Sequence, residues 1–264
     1  MLEVRNITKV FNRGTINEKV ALCDVSFKLK KGEFVTLIGS NGSGKSTLLN
    51  CIAGVFQVDS GSIIIDGIDI TKLCEYKRAS MISRVFQDPM MGTASDMEIE
   101  ENLALALRRG KRRGLRWGIN NDEREYYKKL LKRLGLGLEN RISAKVGLLS
   151  GGERQAITLL MAIIKKPKLL LLDEHAAALD PGTAKKVMDL TDRIVMENNL
   201  TTLMVTHNMR DAIKHGNRLM MMYEGKVILD IKDEEKKKLT VEDLINRFES
   251  VSGEEFADDR ALLS

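Results

Sequence analysis

The first third of the chain alternates apolar and polar positions with period two over residues 2–10 and 20–29, which predicts half-buried strands. Lys31-Gly32-Glu33 then turns the chain into an unbroken apolar run, 34–38, the pattern of a strand buried on both faces. A glycine-rich stretch follows, then a helical segment at 46–53 and an isoleucine-rich strand at 62–66, bounded by Asp59-Ser60-Gly61 and Asp66-Gly67 turns. Strands on both sides of the glycine-rich stretch, with few helices between them, predict an antiparallel sheet beside a parallel core. From about 88 to 166 the texture becomes helical, with segments at 99–109, 122–134 and 152–165 joined by polar and basic connectors. Short apolar runs at 169–172 and 201–205, flanked by helical patterns at 181–197 and 209–215, resume the logic of a parallel sheet. Residues 218–223 and 226–231 flank Glu224-Gly225 as a hairpin. The run 232–238 is charged and expected to be solvated, 241–248 reads as a last helix, and 250–264 as a loosely held tail.

Composition narrows this α/β picture only slightly. The 264 residues suffice for one large domain or two small ones. A net charge of +5 is too mild to name a partner among nucleic acid, an anionic membrane surface or a nucleotide. Cys23, Cys51 and Cys74 are odd in number and lack metal-ligand spacing, which favours reduced thiols. The opening residues alternate like a strand and lack a signal-peptide layout. No apolar run approaches the ~20 residues that span a bilayer, so any membrane work needs another chain to cross it.

Three segments carry chemistry. Gly39, Ser40, Asn41, Gly42, Ser43, Gly44, Lys45 and Ser46 fit the phosphate-loop pattern, after a strand and before a helix, with Thr47 continuing it. Glycines let successive N–H groups converge on phosphate oxygens, and the helix start adds its dipole. Lys45 is placed to neutralise the β- and γ-phosphates and Ser46 to hold Mg²⁺. Second, an apolar strand delivers Asp173 to its carboxyl end, where ligands of open α/β sheets bind. Asp173 there can organise Mg²⁺ through water, and Glu174 can take a proton from an attacking water. Third, Leu149-Ser150-Gly151-Gly152-Glu153-Arg154-Gln155 reads, by itself, as a capped helix start.

Together with Gln87, Ala178-Leu179-Asp180 and His207, these segments occur in the order of the ATP-binding cassette family, and the resemblance covers about residues 2–231. It implies an α/β fold: a P-loop NTPase (RecA-like) core with an antiparallel β subdomain (1–87 and 166–235), an inserted α-helical subdomain (88–165), and a C-terminal helix and tail (236–264). It implies an ATPase whose substrate and cofactor are ATP and Mg²⁺. Catalysis is expected from Glu174, His207, Gln87 and Lys45, and metal binding from Ser46, Gln87 and Asp173. Ser150, Gly151, Gly152 and Glu153 form the signature that meets ATP held by a second copy. Asp180 crosses that interface, and Phe11 stacks on adenine. Two positions depart from the commoner pattern: His175 stands where many relatives carry proline or another residue, and Ala178 where serine is frequent.

The implied partners are a second copy in a head-to-tail dimer and an integral membrane permease, with the chain on the cytoplasmic face of the cell membrane. Phe11 to Glu18, Gln87-Asp88-Pro89 and Glu174-His175 are similar to a bacterial importer subgroup. That subgroup works with external substrate-binding lipoproteins, some linked to aromatic amino acids such as tryptophan. An exporter ATPase is the nearest alternative. A soluble ATPase of iron–sulfur assembly or nucleic-acid work is another, although nucleic-acid members commonly carry two cassettes or a coiled-coil insertion. The basic stretch Arg108 to Trp117 reads either as a contact for lipid, permease or nucleic acid or, preferably, as a solvated connector. Nothing in the chain identifies what is carried.

Overall fold

The computed structural model describes residues 1–110 and 118–252. Most of the basic stretch and the tail beyond residue 252 therefore lie outside the described residues. In chain order the elements are β1 (Leu2–Phe11), β2 (Lys19–Leu29), β3 (Phe34–Ile38), α1 (Lys45–Ala53), β4 (Ser60–Ile65), β5 (Ile68–Asp69), α2 (Glu75–Arg78) and β6 (Ile82–Val85). Then come α3 (Ile99–Leu107), α4 (Asn121–Lys132), α5 (Gly151–Ile163), β7 (Leu169–Asp173), α6 (Pro181–Glu197), β8 (Thr201–Val205), α7 (Met209–Lys214), β9 (Arg218–Tyr223), β10 (Lys226–Lys232), α8 (Asp233–Lys237) and α9 (Val241–Ser252). No described helix is long and apolar enough to cross a membrane. The chain divides into two compact units, one of Met1–Arg78 with Asn199–Ser264, the other of Ala79–Asn198.

In the first unit the expected antiparallel sheet has strand order β2-β1-β4-β5. Leu2 pairs with Leu29 on one side and Ile65 on the other; Leu2 and Val4 are buried in alternation, and after a register shift the next buried residue is Ile7. The second sheet of this unit sets β3 between β8 and β9, both parallel to it, and the predicted β9–β10 hairpin closes the edge. All five residues of β3 are buried, as its unbroken apolar run requires. Arg78 is itself buried and donates to the carbonyls of Cys51 and Ile52 in the last turn of α1 (2.7 and 2.9 Å). A guanidinium there satisfies orphan carbonyls and opposes the negative end of the helix dipole.

The charged run 232–238 is solvated as expected except at one position, Lys236. Part of it folds as α8, and Lys236 is only 2% exposed. Its ammonium donates to the His215 and Gly216 carbonyls. Charge pattern alone missed this because a lysine stem packs like a hydrocarbon while its head finds carbonyls that end another helix, α7. Leu244 and Phe248 of α9 join Ile38 and Leu219 in the core of this unit, and Tyr223 meets the Phe248 ring edge-on at 5.2 Å.

The second unit contains the helical stretch read from sequence together with β6, β7 and α6. β6 carried no expectation, since Ser83 and Arg84 interrupt its apolar pattern; parallel pairing with β7 makes it a strand. Three helices here, α3, α4 and α5, start with reciprocal capping boxes: Glu98 with Glu101, Asn120 with Glu123, Ser150 with Glu153. Buried Asn102 receives the Ala94 N–H and donates to the Ala94 and Glu98 carbonyls, fixing the segment that leads into α3.

Candidate functional site

In the first unit, β3 and β8 run parallel with Leu37 opposite Val205, and the Thr206 N–H donates to the Leu37 carbonyl. The phosphate loop and His207 therefore leave the carboxyl ends of neighbouring strands, where open α/β sheets place ligands. Within the loop the Ser43 N–H donates to the Ser40 carbonyl at 3.2 Å. Gly39 has φ 151°, and a Cβ there would lie 2.2 Å from the Met222 carbonyl oxygen, so only glycine fits. Gly44 caps α1 with a left-handed backbone. Lys45 is 6% exposed and curls back over the loop, its ammonium donating to the Gly39 and Ser40 carbonyls at 2.7 and 2.9 Å. Ser43 is buried, and its hydroxyl has no partner among the described residues. A cation folded onto loop carbonyls, an orphaned hydroxyl and a helix N-terminus make a cradle for a polyphosphate.

Ser46 is exposed at the start of α1, followed by half-buried Thr47. Asn41 and Gly42 lie exposed at the loop tip. Phe11, at the end of β1, meets Phe56 edge-on at 5.3 Å and has the Lys9 ammonium 5.5 Å from its ring centre. Its ring is only partly buried, a geometry compatible with an additional stacking partner.

The second unit repeats the arrangement with another strand pair. β6 and β7 run parallel with Val85 opposite Leu172, so Gln87 and the Asp173-Glu174 pair follow adjacent strand ends. Arg84 on β6 donates to the Asp173 carboxylate at 2.6 Å and sits 4.8 Å from the Phe86 ring centre. Sequence reasoning missed Arg84, because the strand that carries it shows no apolar run and its partner Asp173 lies 89 positions on. Glu174 takes φ 46°, a left-handed backbone that costs a non-glycine residue about 1–2 kcal/mol.

At the start of α5 the Ser150 hydroxyl accepts from the Glu153 N–H, while the Glu153 carboxylate accepts from the Ser150 N–H and hydroxyl at 2.9 Å each. These bonds, with Arg141 at 3.0 Å, hold the Glu153 carboxyl below its ordinary range; the Ser150 N–H is the largest cause. Gly152 is buried, and a Cβ on it would fall 2.2 Å from Thr183 Cγ2, so glycine lets α5 and the start of α6 meet. Thr183 also donates its N–H to Asp180, which caps α6 and is held below its ordinary pKa by that residue. Buried Gln155 donates to the Phe86 carbonyl at 3.3 Å. Arg154 binds the Leu149 carbonyl at 2.9 Å and lies 3.0 Å from Met90 Sδ. The signature helix is thus tied both to the Gln87 loop and to the Asp180 turn within one unit, a linkage that spacing did not reveal.

Known proteins agree with this arrangement. The profile of the family described as ABC transporter matches residues 22–177. The chain is 48% identical to a tyrosine transport ATP-binding protein of Clostridioides difficile over 94% of this chain and 99% of the relative. It is 34% identical to the energy-coupling factor transporter ATP-binding protein EcfA2 of Clostridium tetani, over 87% of this chain and 78% of the relative. Among solved structures, the dimeric post-hydrolysis state of the ATP-binding cassette MJ0796, bound to ADP and Pi, is 31% identical with a TM-score of 0.74. The match covers 88% of this chain and 98% of that one. Fold, phosphate cradle and sequence converge: the chain belongs to the ABC transporter family, as an ATP-binding subunit that hydrolyses ATP.

Proposed function

We propose that the chain powers an importer for an aromatic amino acid of the tyrosine type, as a head-to-tail pair on the cytoplasmic face of a separate membrane permease fed by an external substrate-binding lipoprotein. The observation that carries this reading is the 48% identity to the tyrosine transport subunit across nearly the whole length of both chains. Importer subunits for spermidine/putrescine (Haemophilus influenzae) and methionine (Photobacterium profundum), among the other relatives, point to uptake as well.

Within the pair, the loop from Gly39 to Thr47 binds the phosphates of ATP, with Lys45 leaving its carbonyls for them and Phe11 stacking on the base. Ser150, Gly151, Gly152 and Glu153 of the other copy complete the site, and Asp180 couples the two sites. Glu174 accepts the proton of the attacking water, oriented by His207 and Gln87. The donors assigned to Mg²⁺ are the Ser46 hydroxyl, the Gln87 amide and the Asp173 carboxylate, hard oxygens suited to that ion. When bound, Mg²⁺ neutralises charge on the β- and γ-phosphates. Until then Arg84 supplies the compensating charge for Asp173.

Mass action explains how hydrolysis becomes motion. ATP contacting two copies stabilises only the closed pair, and hydrolysis removes that stabilisation. Uptake of labelled tyrosine in cells deleted for this gene tests the reading. Wild type is expected to restore uptake and Glu174→Gln to fail; unchanged tyrosine uptake in the deletion strain would contradict the assigned substrate.

A further inference from the structure

The residue after Glu174 is buried and has its own bond to a helix. His175 is 2% exposed, and its Nε2 lies 2.9 Å from the hydroxyl of Thr191, which is fully buried in α6. The Thr191 hydroxyl already donates its one proton to the Val187 carbonyl at 2.8 Å. It can therefore only accept from His175, which fixes the proton on Nε2. Glu174 itself holds the left-handed φ of 46°, and its carbonyl accepts from the Ala177 N–H at 3.0 Å. Five residues after His175, Asp180 caps the first turn of α6. The turn that begins with Glu174 is thus pinned to α6 twice, by Asp180 at the helix start and by His175 near its middle. Strained backbones persist only where neighbouring structure over-determines them, and these two anchors do so.

We propose that His175 is a positioning residue for Glu174: its Nε2–H bond to Thr191 holds the strained Glu174 backbone so that the carboxylate keeps one orientation toward the attacking water. The proposal rests on the reading of Glu174 as the base. The phosphate loop belongs to the other unit and is not part of this anchor.

The test is steady-state ATP hydrolysis by the full-length chain with Mg–ATP, with active sites titrated by nucleotide trapping. Thr191→Val keeps the shape of the side chain and removes the acceptor. It should lower kcat at least tenfold with KM changed less than about twofold, the mark of lost orientation rather than lost binding. His175→Leu should do the same. His175→Gln, whose amide can donate from near the position of Nε2, should recover at least a third of the turnover, as should Thr191→Ser. A role confined to stability predicts lower melting temperatures with unchanged kcat per active site, and equal behaviour of the Gln and Leu variants; that pattern overturns the proposal. If His175→Leu fails to fold, Thr191→Val against Thr191→Ser decides alone. Glu174→Gln separates the two layers. Wild-type turnover in it removes Glu174 as base and the proposal with it. An inactive Glu174→Gln beside a fully active Thr191→Val leaves the base in place and removes only the anchor.

Discussion

At the phosphate loop the chain rests its own cation on acceptors, with Lys45 bound to the Gly39 and Ser40 carbonyls. At the signature it rests its own anion on donors, with the Glu153 carboxylate on the Ser150 N–H and hydroxyl. Both regions meet phosphate in the proposed pair, and both are satisfied here by internal groups of opposite sign. The loop gathers its phosphate-binding groups in one short stretch of one chain: glycines, a lysine and a helix start. The signature, taken in one chain, is only a well-capped helix. The difference teaches what the proposed pair requires: the signature waits for a second copy that brings a nucleotide, and its capping box keeps the helix start ordered until then.

Breaking the loop side should have the largest effect. Lys45→Ala removes the loop's one ammonium, and kcat should fall by about 10²–10³-fold, with ATP binding by the single chain weakened as well. Isothermal titration and initial rates measure both; tight binding with normal turnover would dissolve the contrast. Breaking the signature side should separate those two readouts. Ser150→Arg should leave nucleotide affinity of the single chain within a few-fold while abolishing ATP-driven pairing. Next in size is Gly152→Ala, whose Cβ meets Thr183 at 2.2 Å. Overpacking of this kind costs about 1–3 kcal/mol in thermal or urea unfolding, and Thr183→Ser in the same background should recover part of it.

The smallest effect is expected at Glu153. Glu153→Gln weakens the capping box and should cost about 1 kcal/mol at neutral pH. Its folded pKa lies below the ordinary value, so the charged form is favoured by folding. That contribution is complete above the unfolded value of about 4.3 and is lost as pH falls through the lower folded value. The difference in melting temperature between wild type and Glu153→Gln should shrink on acidification; a constant difference would assign the loss to packing.

Sequence made the loop, Asp173-Glu174 and the cap at Ser150 legible because each is written within a few consecutive residues. The burial of β3 on both faces was likewise foreshadowed by its unbroken apolar run. Other features depend on partners far away in sequence. Arg84 gains its meaning from Asp173, 89 positions on, and β6 is a strand only because β7 pairs with it. Lys236 looked solvated until the carbonyls of His215 and Gly216 were placed beside it. His175 was visible as an unusual neighbour of Glu174, yet its bond to Thr191 needs a full helix to bring the two together.

The central claim is that ATP joins the phosphate loop of one copy to the signature of another. Sedimentation equilibrium of Glu174→Gln with Mg–ATP tests it most directly, with Glu174→Gln/Ser150→Arg beside it. The account predicts twice the monomer mass for the first and monomer for the second, each with nucleotide bound. Monomer for both, or dimer for both, would contradict it.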